Sequence, residues 1–110
     1  MYVYEKCIFR GAELTISNGV ADYMVMDSKF DKEANECMNR FFQQDWGELS
    51  PRALKSNDLL LAHHMEPIMG MYDTSRGKVV VIASCFSQGE YNLVEVALYS
   101  EVFHLYRANK

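Results

Sequence analysis

Two adjacent histidines and three cysteines are the side chains of this sequence most suited to metal binding or nucleophilic catalysis. His63 and His64 fall in a predicted helix, where neighbouring residues point about 100° apart, so they do not share one metal ion as an i, i+4 pair does. Cys7, Cys37 and Cys85 have no Cys-x-x-Cys spacing and lie in apolar segments, which favours packing in the core. We therefore expect no metal, no cofactor and no catalytic residue. A small enzyme that uses Cys85 and one of these histidines is the alternative.

Nucleotide and nucleic-acid chemistry have little support in the sequence. The glycine spacings that bind nucleotide phosphates are missing, and so is the Gly-x-Ser-x-Gly of a nucleophile elbow. With 15 acidic and 11 basic side chains the net charge is -4, which opposes a phosphate backbone. Four tyrosines could stack on bases, but Lys and Arg are scarce around them: Tyr72, Tyr91, Tyr99 and Tyr106. We expect no nucleic-acid partner, and a nucleic-acid-binding regulator is kept as an alternative.

The segment Asp45-Trp46-Gly47 joins two predicted helices and contains the single tryptophan of the chain. A buried indole needs a partner for its N–H, so few placements suit it. We expect Asp45 to cap the turn, Trp46 to fill the gap between helices and sheet, and Asn57 to bond the backbone of the turn. The alternative is a recognition surface formed by Trp46, Asn57, Asp58 and Tyr72.

Three helices are predicted from apolar spacing and capping residues. Ser17 precedes a short one. A helix of about four turns begins near Ser28, capped by Asp27 or Ser28, and another runs from Pro51 to about His64 after the capping residue Ser50. The four-turn helix is amphipathic, because its apolar residues recur every three to four positions: Phe30, Ala34, Cys37 or Met38, and Phe41.

Strands are predicted at both ends of the chain. Residues from Tyr2 to Phe9 are rich in β-branched and aromatic types and predict a strand or loose hairpin, which a second extended piece continues over 14–16. After Pro67 apolar runs alternate with turn signals, which predicts a three-stranded antiparallel meander whose central strand, around 79–82, is covered on both faces. We expect a single α+β domain over residues 1–110, in which two main helices pack on a small antiparallel sheet with a C-terminal three-stranded meander.

Negative charge is concentrated in the first half of the chain. Residues 1–50 hold nine acidic and five basic side chains, a net charge of -4, whereas residues 51–110 hold six of each. If charge attracts a partner, the four-turn helix is the surface that we suspect. Together with the junction, this gives eight expected partner-binding residues: Asp31, Glu33, Glu36, Asp45, Trp46, Asn57, Asp58 and Tyr72.

Targeting signals are not evident in the sequence. Charges at Glu5, Lys6 and Arg10 interrupt any apolar stretch near the start, and the longest uncharged run, between Lys78 and Glu90, is far shorter than the roughly 20 residues that cross a bilayer. An odd and sparse set of cysteines favours reduced thiols. We therefore expect no membrane partner and a place in the cytoplasm of a bacterial cell.

The chain resembles a small family of phage- and plasmid-borne proteins that often carry labels such as plasmid-related protein or restriction-system subunit. The resemblance spans nearly the whole chain, and Asp-Trp-Gly followed by Asn-Asp is its most specific part. The chain departs from the family over 83–88, where an acidic segment is replaced. The matching positions are Gly19-Val20, Asp22, Phe30, Asp45 to Leu49, Asn57-Asp58, Gly70 to Tyr72, Lys78 to Ile82 and Ser100 to Phe103.

The resemblance implies an accessory role on a mobile genetic element rather than a known activity. Small acidic proteins of such elements often bind host defence machinery. We therefore expect a non-enzymatic protein that binds a host defence protein, as an inhibitor of a restriction or CRISPR system. A homodimer formed by edge pairing of the strand from Tyr2 to Phe9 is a further expectation.

Overall fold

A computed structural model describes residues 9, 11–63, 67–84 and 91–102 of the protein. A helical turn at 99–102 closes the described part. The α+β class predicted from the sequence is confirmed. In chain order, the elements are β1 (Glu13–Ile16), α1 (Asn18–Met26), α2 (Ser28–Phe42), α3 (Pro51–His63), β2 (Ile68–Thr74), β3 (Gly77–Ser84) and β4 (Leu93–Leu98).

The strands form one sheet in the order β1-β4-β3-β2. β2, β3 and β4 pair antiparallel in succession, so the predicted C-terminal meander is confirmed. β1 adds to β4 in parallel, from Glu13 opposite Leu93 to Ile16 opposite Val96, and makes the sheet mixed rather than wholly antiparallel. Pairing between strands so far apart in sequence depends on tertiary packing, which local patterns do not encode.

The helices begin where the capping residues predict. The Ser17 hydroxyl accepts a hydrogen bond from the N–H of Val20 and starts α1. Asp27 accepts from the N–H groups of Lys29 and Phe30 and starts α2. The Ser50 hydroxyl accepts from the N–H of Ala53 and starts α3, which ends one residue before the predicted His64.

The core lies between α2 and one face of the sheet. α2 buries six side chains there: Phe30, Ala34, Cys37, Met38, Phe41 and Phe42. β3 contributes Val79, Val81 and Ala83, and β4 contributes Val94 and Val96 to the same cluster. Val80 points to the other face but is also buried, so the prediction of a central strand covered on both faces is confirmed.

The predicted N-terminal strand lies outside the described residues except for Phe9. That ring is fully buried, stacks on Phe41 at 5.0 Å between ring centroids, and meets the edge of Tyr91 at 5.4 Å. The extended piece predicted over 14–16 is confirmed as β1. Among the described residues, no helix has the length and apolar character needed to cross a membrane.

Candidate functional site

The Asp45-Trp46-Gly47 junction covers the outer edge of β2. The N–H of Met71 donates to the carbonyl of Trp46 at 3.0 Å, and the N–H of Glu48 donates to the carbonyl of Met71 at 2.7 Å. Gly47 thereby forms an isolated parallel bridge with Met71. One edge of the sheet is thus satisfied by a short segment that continues the hydrogen-bond ladder.

The indole of Trp46 fixes the junction against the edge of β2. It is 3% exposed and meets the ring of Phe41 edge-on at 5.2 Å. Its Nε1–H donates to the Asp58 carboxylate on α3 at 3.1 Å, which provides the partner that a buried indole needs. The predicted placement of Trp46 between helices and sheet agrees with this geometry.

Asp45 stabilises the turn that precedes Gly47. Its carboxylate accepts from the N–H of Gly47 at 3.1 Å and from two nitrogens of Arg40 at 2.7 and 3.2 Å. The hydrogen bond from Arg40 holds the pKa of Asp45 below its usual range. The hydroxyl of Tyr72 donates to the Asp45 carbonyl at 2.7 Å. The predicted capping role of Asp45 matches these contacts.

Asn57 serves the strand rather than the turn. It is 6% exposed, and its Nδ2 donates to the carbonyl of Met69 on β2 at 2.7 Å. The prediction that Asn57 bonds the backbone of the Asp45-Trp46-Gly47 turn was therefore wrong. The backbone of Trp46 is already engaged with Met71, and Asn57 lies beside a carbonyl two residues earlier on the strand.

The junction residues predicted to bind a partner are mostly used inside the protein. Trp46, Asn57 and Tyr72 are buried, and burial raises the pKa of the Tyr72 phenol well above its ordinary value. Asp45 and Asp58 are exposed but bond Arg40 and Trp46. A partner that binds the surface of this structure therefore does not contact Trp46, Asn57 or Tyr72.

The predicted acidic face of α2 carries no net charge. Glu33 accepts from the N–H and hydroxyl of Ser75 and so holds the β2–β3 turn, Asp31 accepts from Asn35, and Glu36 is exposed. Three acidic residues share this helix with three basic ones: Lys29, Lys32 and Arg40. The excess negative charge of residues 1–50 therefore lies outside α2.

The described part of the chain gives little support to a site built on a cysteine thiol or a histidine imidazole. Cys37 is buried among apolar side chains, and this burial raises the pKa of its thiol to about 12. Across the described ranges, no three His, Cys, Asp or Glu side chains are grouped to hold a metal ion. Cys7, Cys85, His64 and His104 lie outside the described residues.

The opposite edge of the sheet is β1, which the sequence did not single out. All four of its residues are exposed, including the apolar Leu14 at 45% and Ile16 at 37%. The N–H groups of Glu13 and Ser17 donate to carbonyls on the β4 side. Because bonding direction alternates along a strand, the N–H groups of Leu14 and Ile16 point away from β4. In the part of the chain that the structure describes, β1 has no second neighbour.

A groove runs beside this edge on the face of the sheet that turns away from α2. We call it the β1 groove, and its volume is about 520 Å³. Val94 and Val96 point into the core, so Glu95 and Ala97 point to the groove side. Its described lining comprises Thr15 to Asn18, Ile82, Glu95 to Ala97, Glu101 and Val102.

Comparisons with family models, curated proteins and solved structures give no match. The fold and the site thus define an α+β protein whose sheet, over the described residues, has a covered edge at β2 and an unpaired edge at β1 with a groove beside it. The resemblance to mobile-element proteins stays a prediction.

Proposed function

We propose that this is a phage- or plasmid-borne accessory protein that binds a host protein in the bacterial cytoplasm and inhibits a defence system of the restriction or CRISPR type. The observation that carries the binding is the edge strand β1, where the apolar side chains of Leu14 and Ile16 are exposed and, in the described part of the chain, no strand pairs with the outward N–H groups. Such an edge is a template on which another chain adds a strand.

The contrast between the two sheet edges supports this proposal. At β2, Trp46 and Glu48 engage both backbone groups of Met71. At β1, the described strand is short and carries the charge of Glu13, but Leu14 to Ile16 contain no proline or lysine and expose two apolar side chains. A protein that protects one edge and leaves an apolar one open gains a recognition surface there.

The choice of a defence protein as target rests on the resemblance to mobile-element proteins. Among the described residues, the polar groups of the junction bond one another and Cys37 is buried, so these side chains support the binding proposal better than a catalytic one. Glu13 and Glu95 lie beside the open edge and repel phosphate, so a protein partner fits this edge better than a nucleic acid.

Phage plating tests the proposal on bacteria that carry a restriction or CRISPR system. Expression of the chain is expected to raise plating on such cells and to leave it unchanged on cells without the system. The purified defence protein is then expected to bind the purified chain. Unchanged plating on every defence-bearing strain, together with no binding to their defence proteins, would overturn the proposal.

A pair of lysine substitutions tests the edge itself. Leu14→Lys with Ile16→Lys places charge on the open edge and is expected to abolish the gain in plating. Leu59→Lys is the matched control, because Leu59 is 63% exposed on α3, away from β1. Equal loss of function in both variants would show that the edge is not the binding surface.

A further inference from the structure

The β1 groove has a described lining that combines acidic and aliphatic side chains and includes no Lys or Arg. Glu95 is exposed on its floor. Glu13 lies on the same face, since β1 pairs with β4 in register and Thr15 stands opposite Glu95. A segment that adds to the outer side of β1 therefore meets negative charge on its groove side.

Glu101 forms one end of the groove and is fixed in place. Its carboxylate accepts from the hydroxyl of Ser17 at 2.6 Å, from the N–H of Leu98 at 2.8 Å and from the N–H of Gly19 at 3.3 Å. Because three donors already bind this group, Glu95 and Glu13 are the carboxylates left to meet an incoming cation.

The two faces of β1 favour different side chains on an added strand. Side chains beside Glu13 and Thr15 project toward the groove, whereas those beside Leu14 and Ile16 project toward the helix side. Residues that stand side by side on neighbouring strands share a face and contact each other. The added strand thus places every second side chain on the face that holds Glu13 and Glu95, and the others against Leu14 and Ile16.

We propose that the partner segment recognised at β1 is an extended strand in which Lys or Arg alternates with aliphatic residues. The cations lie on the groove face near Glu95 and Glu13, and the aliphatic side chains pack on Leu14 and Ile16. This inference rests on the proposed function, because it names the chemistry of the segment that the open edge binds. Main-chain hydrogen bonds supply affinity, and the alternation supplies specificity.

A second copy of the chain fits this edge poorly. Pairing of β1 with its own copy brings two Glu13 side chains and two Glu95 side chains to the same face, where like charges repel. A partner segment with cations on that face instead neutralises these carboxylates. Charge complementarity therefore favours a basic partner over a homodimer at β1.

The test uses the full chain and short synthetic peptides, with binding measured by titration calorimetry. A peptide that alternates Lys and Val is expected to bind about tenfold more tightly than its Glu and Val counterpart. A peptide of the same composition with Lys and Val in separate blocks is expected to bind about tenfold more weakly than the alternating one. Added salt is expected to weaken the alternating peptide.

Two charge-reversal variants locate the site. Glu95→Lys is expected to weaken the alternating peptide about tenfold. Glu36→Lys makes the same change of charge on α2, on the other side of the sheet, and is expected to leave binding within about twofold. Equal losses in the two variants would show that overall charge, rather than the groove, attracts the peptide and would overturn the inference.

Other occupants of β1 give distinct results. If residues 1–8 or 103–110 of the same chain pair with the edge, the amides of Leu14 and Ile16 exchange slowly in the isolated protein, and the alternating peptide does not bind. If a second copy pairs there, light scattering reports a dimer that Leu14→Lys dissociates. Either result overturns the inference, whereas rapid exchange of both amides that slows with the peptide supports it.

Failure of this inference is separable from failure of the proposed function. Loss of the plating effect in the Leu14 and Ile16 lysine variant, with full activity in Glu95→Lys, keeps edge binding and rejects the basic segment. Full activity in both variants keeps the defence-inhibitor function and rejects β1 as the binding surface, and the basic segment with it.

Discussion

Gly47 occupies a position at which the backbone itself requires glycine. Its φ is 78°, in the left-handed region that other residues rarely adopt, and a Cβ there would collide with the carbonyl of Met71 and the ring of Tyr72. We expect Gly47→Ala to lower the free energy of unfolding by about 3 kcal/mol or more, because conformational strain and overpacking add. Urea unfolding followed by circular dichroism measures the loss.

Gly77 supplies a matched control for this substitution. Its φ is 100°, but a Cβ added there meets nothing within 4 Å. Gly77→Ala therefore carries conformational strain alone and is expected to cost about 1 to 2 kcal/mol. If the two variants lose the same stability, the close approach of Gly47 to β2 contributes nothing.

Cys37 is a core residue rather than a nucleophile. Burial raises the pKa of its thiol to about 12, and the thiolate is the form that reacts. We expect alkylation of Cys37 by iodoacetamide at about pH 8 to be at least 100-fold slower in the folded protein than in the chain unfolded by urea. Peptide mass spectrometry follows this site, and rapid labelling of the folded protein contradicts the assignment.

The ends of the elements are tied together by carboxylates. Asp27 caps α2 and pairs with Arg76 of the β2–β3 turn at 2.9 Å, while the Arg76 guanidinium lies 4.4 Å from the ring centre of Tyr23. Glu33 bonds Ser75 of the same turn. These contacts fix the link between α1 and α2 against the meander. Glu33, which was expected on a docking surface, thus holds the β2–β3 turn.

Glu101 ties the start of α1 to the end of β4. Glu101→Ala leaves the N–H of Leu98 and the hydroxyl of Ser17 without this acceptor, and we expect it to lower the free energy of unfolding by about 2 kcal/mol. Glu95→Ala, on the exposed side of β4, is expected to stay within about 0.5 kcal/mol of the parent chain. Equal losses measured by urea unfolding would refute this role for Glu101.

Elements governed by local chemistry were predictable from the sequence. Ser17, Asp27 and Ser50 mark helix starts because their side chains bond N–H groups two or three residues later, and the spacing of apolar residues gave the buried face of α2. The parallel pairing of Glu13 with Leu93 joins residues 80 positions apart and leaves no local signal. The edge at β1 and the groove beside it depend on that pairing.

The candidate site was predictable only as a set of neighbours. Trp46, Asn57, Asp58 and Tyr72 do lie close together through α3 and β2, as their grouping in the sequence suggested. Whether such residues face a partner or one another depends on burial, which residue types alone do not decide. The β1 groove was missed because Glu13 and Glu95 come together only through the sheet.

Over the described residues, the ion pairs of two arginines and the carboxylates beside β1 lie on different sides of the sheet. The α2 side holds neutralising pairs, such as Arg40 with Asp45 and Arg76 with Asp27. The other side holds Glu13 and Glu95 beside the open edge. Negative charge therefore lies where a strand can add, which favours rapid encounter with a basic segment at low salt.

The pH dependence of stability follows from groups on the α2 side. Hydrogen bonds from Arg76 and Arg40 lower the pKa of Asp27 and Asp45 below the ordinary 3.8, so the unfolded chain binds more protons as the pH falls and unfolding becomes easier. Burial raises the pKa of Cys37 from 9.0 to about 12 and that of Tyr72 above 10.0. The unfolded chain therefore loses those protons first as the pH rises, and stability falls again.

We therefore expect the free energy of unfolding to be greatest between about pH 5 and about pH 9 and to decrease on both sides. Urea unfolding at a series of pH values measures this profile. The double variant Arg40→Gln, Arg76→Gln removes the hydrogen bonds that lower the two carboxyl pKa values. It is expected to be less stable at neutral pH and to lose less stability as the pH falls. Its loss of stability above about pH 9 is expected to change little. If both chains lose the same stability as the pH falls, carboxylates other than Asp27 and Asp45 govern acid unfolding.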